Sequence, residues 1–209
     1  MLKTGSLYPK TLLGSILIIL MWSVINPHDL FTWFLEVLPV LIGIMVLVYI
    51  YPRFQFSNFV YTLLWLHAII LIVGGHYTYA EMPLFNWLRD FFDLGRNYYD
   101  RLGHFAQGFI PAMVTREVLL RQTPLKHGKW LNFIIISICL ALSAAYELFE
   151  FATAKLMGAT ADSFLGSQGD VWDAQWDMTF ALIGAILALL LLSKFHDRAL
   201  YERGIIDQK

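Results

Sequence analysis

Four stretches of the sequence carry acids and histidines at helical spacing. Glu147 and Glu150 stand at i and i+3, Asp173 and Asp177 at i and i+4 with Asp170 a turn earlier, and Asp100, His104 and Gln107 at i, i+4 and i+7. Each set therefore lies along one face of a helix. His76 and Tyr79 stand in a fourth stretch, and Arg96 and Arg101 bracket Asp100. Carboxylates on facing helices with a histidine nitrogen among them form a donor set for one or two divalent metals, as in carboxylate bundles. The metal-ligand candidates are Glu147, Glu150, Asp173, Asp177 and His104, with His76 a second nitrogen donor. A metal held there could activate water against a polar lipid or an extracytoplasmic substrate. Two other uses of the same residues stay open. The acids could carry protons or cations through the bundle, or they could pair with Arg89, Arg96 and Arg101 in a network that locks helices together.

What must position these residues follows from the rest of the chain. With 58% hydrophobic and 15% charged residues in 209, the sequence is too apolar for an ordinary soluble domain, in which about a quarter of residues are charged. Lipid is the implied solvent. A helix needs roughly 20 apolar residues to cross about 30 Å of hydrocarbon. Charge-poor segments of that order run over about 11–27, 31–51, 56–76, 102–120, 130–151 and 171–193. The expected fold is therefore all-α, a single polytopic membrane helix bundle of about six transmembrane helices. The first span resembles a signal peptide, but Ile25-Asn26-Pro27 is a poor cleavage site, so it is read as uncleaved. Segment 102–120 is the weak one: it holds His104, Gln107 and Pro111 and ends among basic residues, so it crosses only if Arg116 snorkels, and otherwise re-enters. Residues 83–95, PLFNWLRDFFDLG, place polar groups on one helical face and aromatics on the others, the pattern of an interfacial amphipathic helix or of a cap over the bundle.

Orientation follows from lysine and arginine. Alternate threading puts eleven basic residues with both termini (Lys3, Lys10, Arg53, Arg116, Arg121, Lys126, Lys129, Lys194, Arg198, Arg203 and Lys209) against Arg89, Arg96, Arg101 and Lys155 on the other side. The basic side is cytoplasmic by the positive-inside rule. The acidic stretches, not used in that assignment, then all fall at the outer face. Between Glu147 and Asp177 six acids stand against one base, Lys155. A carboxylate at the bilayer centre costs about 2.5–3.5 kcal/mol on insertion scales, so these groups must face inward or lie near the interface. The candidate pocket is His76, Tyr79, Arg96, Asp100, His104, Gln107, Glu147, Glu150, Asp170, Asp173 and Asp177, expected to take a divalent metal ion or a polar lipid headgroup. Apolar residues from Met178 to Leu192 and from Ile134 to Ala141 suggest a path closed at mid-depth. His67 reads as a packing residue, and His28, His127 and His196 as loop or interface residues.

Other chemistries are excluded. Gly166-Ser167-Gln168-Gly169-Asp170 lacks the Lys-Ser/Thr ending of a phosphate loop, so no nucleotide is expected, and no nucleophile elbow occurs. The basic cluster Arg116, Arg121, Lys126 and Lys129 suits anionic lipid rather than nucleic acid. Cys139 stands alone, so no intrachain disulfide forms. Gly184 and Ala188 at i and i+4 would permit a close helix contact. Membrane lipids are the expected partners, and nothing indicates a homo-oligomer.

The strings GGHYTYAEMP at 74–83, RNYYDRLGHFAQGF at 96–109, AYELFE at 145–150 and DSFLGSQGDVWDAQWDM at 162–178 resemble the YjdF-type family of bacterial inner-membrane proteins along nearly the whole chain. The resemblance implies a bacterial cytoplasmic membrane and supplies no substrate. Its signature stretches coincide with the outer acids.

Overall fold

The computed structural model describes residues 7–158 and 162–205, without the side chains of Asp162 and Ser163. Lys3, Lys209 and the Asp162 side chain, counted in the charge argument, lie outside the described residues. The elements are α1 (Leu7–Ser23), α2 (Leu30–Ile50), α3 (Asn58–Tyr77), a 3-10 turn (Tyr79–Glu81), α4 (Pro83–Phe91), α5 (Tyr99–Gln122), α6 (Lys129–Met157), α7 (Asp162–Leu165) and α8 (Asp173–Glu202). The described residues contain no strand. The protein is an all-helical membrane bundle.

Local signals set the helix ends. Asp29 caps α2 by accepting a 2.7 Å hydrogen bond from the Thr32 backbone N–H, which holds its carboxyl below the usual range. Ser57 caps α3 in the same way through the Val60 N–H. α6 ends where Gly158 turns left-handed at φ +60°. α4 stops at Phe91, short of the 83–95 expected, because Asp93 takes φ +52° and breaks the helical run.

Among the described residues four helices, α2, α3, α6 and α8, are long and apolar enough to cross a membrane. Only 22–28% of their most apolar windows is buried inside the bundle, so their remaining faces need an apolar solvent. α1 is apolar but shorter. α5 differs. Its 24 residues span about 36 Å, enough to cross, yet its buried face carries Asp100, Arg101, His104, Arg116 and Glu117. Such a helix is stable only when other helices surround it, and α3, α6 and α8 do.

The helices thread alternately. Tyr8 Oη meets Thr62 Oγ1 at 2.8 Å where α1 and α3 begin, and His76 Nδ1 meets the Ser23 carbonyl at 2.9 Å where they end. α5 and α8 run parallel, joined by Arg101 and Asp177 at their starts and by Arg116 and His196 at their ends. Between those ends the two backbones touch. A Cβ on Gly108 would collide with the Ala181 backbone, and one on Gly184 with the Phe105 backbone. The expected small-residue contact is therefore made at Gly184, with α5 as the partner, and Ala188 is buried in the core. The main core lies beside this contact and includes Val60, Met113, Ile135, Cys139 and Ala185. A smaller cluster of Ile16, Val37, Val40 and Ile72 joins α1, α2 and α3.

Candidate acidic centre at one end of the bundle

The end of the bundle where α5 and α8 begin gathers charge from α2, α5, α6, α8 and the segment before α8. Asp173 Oδ1 receives Arg96 Nη1 at 2.7 Å and Arg101 Nη2 at 2.6 Å. Arg101 Nη1 donates to Asp177, and Asp170 lies 3.5 Å from Arg96 and 3.3 Å from Arg101. Arg96 also donates to the Gly166 carbonyl at 3.2 Å, which pins the chain before α8 to the chain before α5. Asn97 and Gln168 fasten the same segment with two 2.9 Å hydrogen bonds between side chain and backbone.

Beneath the arginines lies a different arrangement. His104 Nδ1 is hydrogen-bonded to Gln107 Oε1 at 2.9 Å. Its Nε2 points at three carboxylates, 3.5 Å from Asp100 Oδ1, 3.6 Å from Glu147 Oε1 and 3.7 Å from Asp177 Oδ1. None of these is a hydrogen bond, and Glu147 Oε1 is buried without a partner. The side chains of Asp100, His104 and Asp177 are at most 9% exposed. Ligand atoms from these three lie within 4.8 Å of one another. Glu150 and Glu36 are buried close by and interact electrostatically with Asp100. Around the centre, Glu36, Asp100, Glu147, Glu150, Asp170, Asp173 and Asp177 outnumber the two guanidinium groups among the described residues.

Tyr79 reaches the centre by a strained route. Thr78 takes φ +61°, which folds the chain back after α3 and lays the Tyr79 ring over Gly74 and Gly103. A Cβ on Gly74 would overlap the ring, and one on Gly103 would stand 3.0 Å from it. Burial pushes the Tyr79 phenol well above its ordinary pKa, and nearby Glu36 adds to the effect, so the group stays a proton donor.

The structure thus brings together Tyr79, Arg96, Asp100, His104, Gln107, Glu147, Glu150, Asp170, Asp173 and Asp177. His76 stands apart, which corrects its place in the expected pocket. Its ring is 4.4 Å from Trp22, and it ties α3 to the end of α1. The reason is the turn at Thr78: helical phase ends at Tyr77, so His76 and Tyr79 do not share a face. Asp173 is the other change of role: two guanidinium groups share its Oδ1, whereas Asp177 Oδ1 receives Arg101 alone and stands with Asp100 beside His104.

Sequence reasoning missed Glu36 and Tyr146. Glu36 had a signal, being a lone acid inside an apolar span, which by default faces the bundle interior. Tyr146 had none, since i and i+1 neighbours on a helix do not share a face; the packing of α6 against α5 brings its ring 6.2 Å from His104. The opposite end of α5 was also misread. Arg116 does not snorkel; it is buried and donates to Asp197 at 2.7 Å, next to His196 at 2.8 Å and His127 at 3.1 Å. Glu117, wholly buried, accepts from Ser57 N, Ser57 Oγ and Arg121, and His196 Nε2 lies 3.1 Å away. His196 and Arg116 are therefore interior residues.

The family whose description is "predicted membrane protein (DUF2238)" matches residues 8–198. The chain is 46% identical over 189 residues, or 90% of each sequence, to the protein named inner membrane protein YjdF of Escherichia coli strain K12. No solved structure matches it. Agreement over this length, on a bundle with the same membrane character, means that the chain belongs to the DUF2238 family of membrane proteins.

Proposed function

We propose that this chain is a six-span inner-membrane protein with both ends in the cytoplasm, and that Asp100, His104, Glu147 and Asp177 form a divalent-metal centre near its outer face. The location rests on the name of its YjdF relative and on the distribution of basic residues. One observation carries the centre: a histidine nitrogen facing three carboxylate oxygens at 3.5–3.7 Å, too far to bond each other. Ligand atoms about 2.0–2.2 Å from a tetrahedral ion stand roughly 3.3–3.6 Å apart, close to the three distances from His104; among the carboxylates, those of Asp100 and Asp177 lie within 4.8 Å of each other, and Glu147 would have to move in to complete the set. Gln107 on Nδ1 orients the ring as second-layer partners of metal-binding histidines do. One nitrogen and three oxygens suit zinc, manganese or ferrous iron better than a soft ion. Such an ion would polarise a water or a headgroup oxygen arriving from the outer interface, which makes chemistry on envelope lipids the favoured activity.

Metal analysis of protein purified without chelator and incubated with zinc or manganese tests the reading. About one ion per chain is expected for the native sequence, and little for His104→Ala or Asp177→Asn. Equal metal in all three, or none in any, removes the proposal. A change confined to melting temperature would leave the ion-pair network of Arg96 and Arg101 as the whole role of these acids.

A further inference from the structure

Next to the acidic centre a cavity of about 90 Å³ opens between α2, α3, α5 and α6, and His67, Tyr79, His104, Gln107 and Tyr146 are among its walls. His67 lies ten residues along α3 from Tyr77, about 15 Å of helix, so the cavity reaches towards the middle of the bundle. Its walls are largely apolar, but polar atoms stand among them. His67 Nε2 is a buried atom on it with no hydrogen-bond partner among the described residues, and Tyr79 Oη, which faces the Glu36 carboxyl, makes no hydrogen bond of good geometry there. Both partners of the His104–Gln107 hydrogen bond line it as well. Ser143, one turn from Tyr146 on the same helix, is also buried with an unpaired hydroxyl. Buried polar atoms left unpaired by protein are the usual partners of internal water. A single water needs roughly 10–15 Å³ of such space, so there is room for several.

We infer that this cavity is a hydrated subsite, holding water between His67 as its inner anchor and His104 at its outer wall. The bound molecules are small, neutral and able both to donate and to accept. Tyr79, kept protonated, donates to them, and His67 Nε2 fixes the innermost one. The subsite gives the acidic centre a store of water that does not pass through lipid, and it stands whether or not that centre holds a metal. His67 then has a role beyond packing, and the polar region extends further inward than the apolar runs of α6 and α8 suggest.

Radiolytic hydroxyl-radical footprinting of the full chain in nanodiscs in ¹⁸O-labelled water, with and without metal, tests this. Radicals form on bound water and modify the side chains that touch it. Tyr79 and Tyr146 are expected to be modified at least tenfold faster than Met113, a more reactive side chain in the dry core, fully buried. The pattern should persist after metal is stripped, so failure of the metal centre and failure of the subsite are separable. His67→Leu should lower modification of Tyr79 and Tyr146 several-fold while the melting temperature shows a folded protein. Native rates no faster than Met113 overturn the inference. Unchanged rates in a folded His67→Leu variant overturn the anchoring role, and if that variant does not fold, Leu71→Phe, which fills the cavity from another wall, makes the same measurement.

Discussion

His196 Nε2 lies 3.1 Å from Glu117 Oε2, and neither side chain is exposed at all. This contact mirrors the one at the other end of the same helix pair, where Arg101 meets Asp177. The α5–α8 pair is therefore clamped by charge at both ends and by backbone contact in the middle, with apolar side chains covering the length between.

Removing one partner of a buried charged network leaves the others unsatisfied in a medium that cannot solvate them. Glu117→Ala should lower stability by about 3–5 kcal/mol, because Ser57 N–H, Arg121 and His196 all lose their acceptor. Glu117→Gln keeps one acceptor oxygen and should cost less. Unfolding of the detergent-solubilised protein followed by circular dichroism gives both values, and equal losses would show that the charge, rather than a retained acceptor oxygen, carries the effect.

The middle of the pair makes a steric prediction. Gly108→Val forces a side chain into the α8 backbone, where no flexible end can move aside, so a loss of about 1–3 kcal/mol or more is expected. Gly43→Ala is the control. Nothing lies within 4 Å of its added Cβ, and better helix propensity should make it neutral or stabilising by up to about 1 kcal/mol. Thermal melting of the two variants side by side decides the matter.

Orientation is open to direct test because Cys139 is the only cysteine and is fully buried. A membrane-impermeant maleimide should leave the native chain unlabelled. In intact cells it should label Asp93→Cys but not Glu202→Cys, and both should react once the membrane is opened. Labelling of Glu202→Cys from outside would reverse the assignment of the two faces.

The all-helical membrane bundle was legible because lipid permits few alternatives: long apolar runs and scarce charge leave helices as the way to satisfy the backbone. The grouping of Asp100, His104, Gln107, Glu147 and Asp177 was legible for a related reason, since their spacing gives each a shared face and unpaired carboxylates cannot face hydrocarbon. His76 was not, because its place depends on one left-handed residue, Thr78, that no periodicity announces. Arg116 was misread because a lone arginine near a helix end has two solutions, reaching for water or finding an acid. The choice was decided by Asp197, which stands 81 positions away. His67 and Tyr79 face a cavity, and cavities arise from how several helices fail to fill space, which one-dimensional pattern does not encode.

α5 is also made before the groups that satisfy it. Arg101 pairs with Asp177, and Arg116 with Asp197, 76 and 81 residues later in the chain. During synthesis this helix therefore emerges with Glu117 already served by Ser57 and Arg121 but with Arg101 and Arg116 short of their main acids, too polar to settle into lipid alone. It must wait, held at the insertion machinery or partly outside the bilayer, until α8 arrives to carry it in. Biogenesis of this protein is thus expected to finish late and all at once, with the final helix acting as the keystone of an assembly whose earlier parts cannot mature without it.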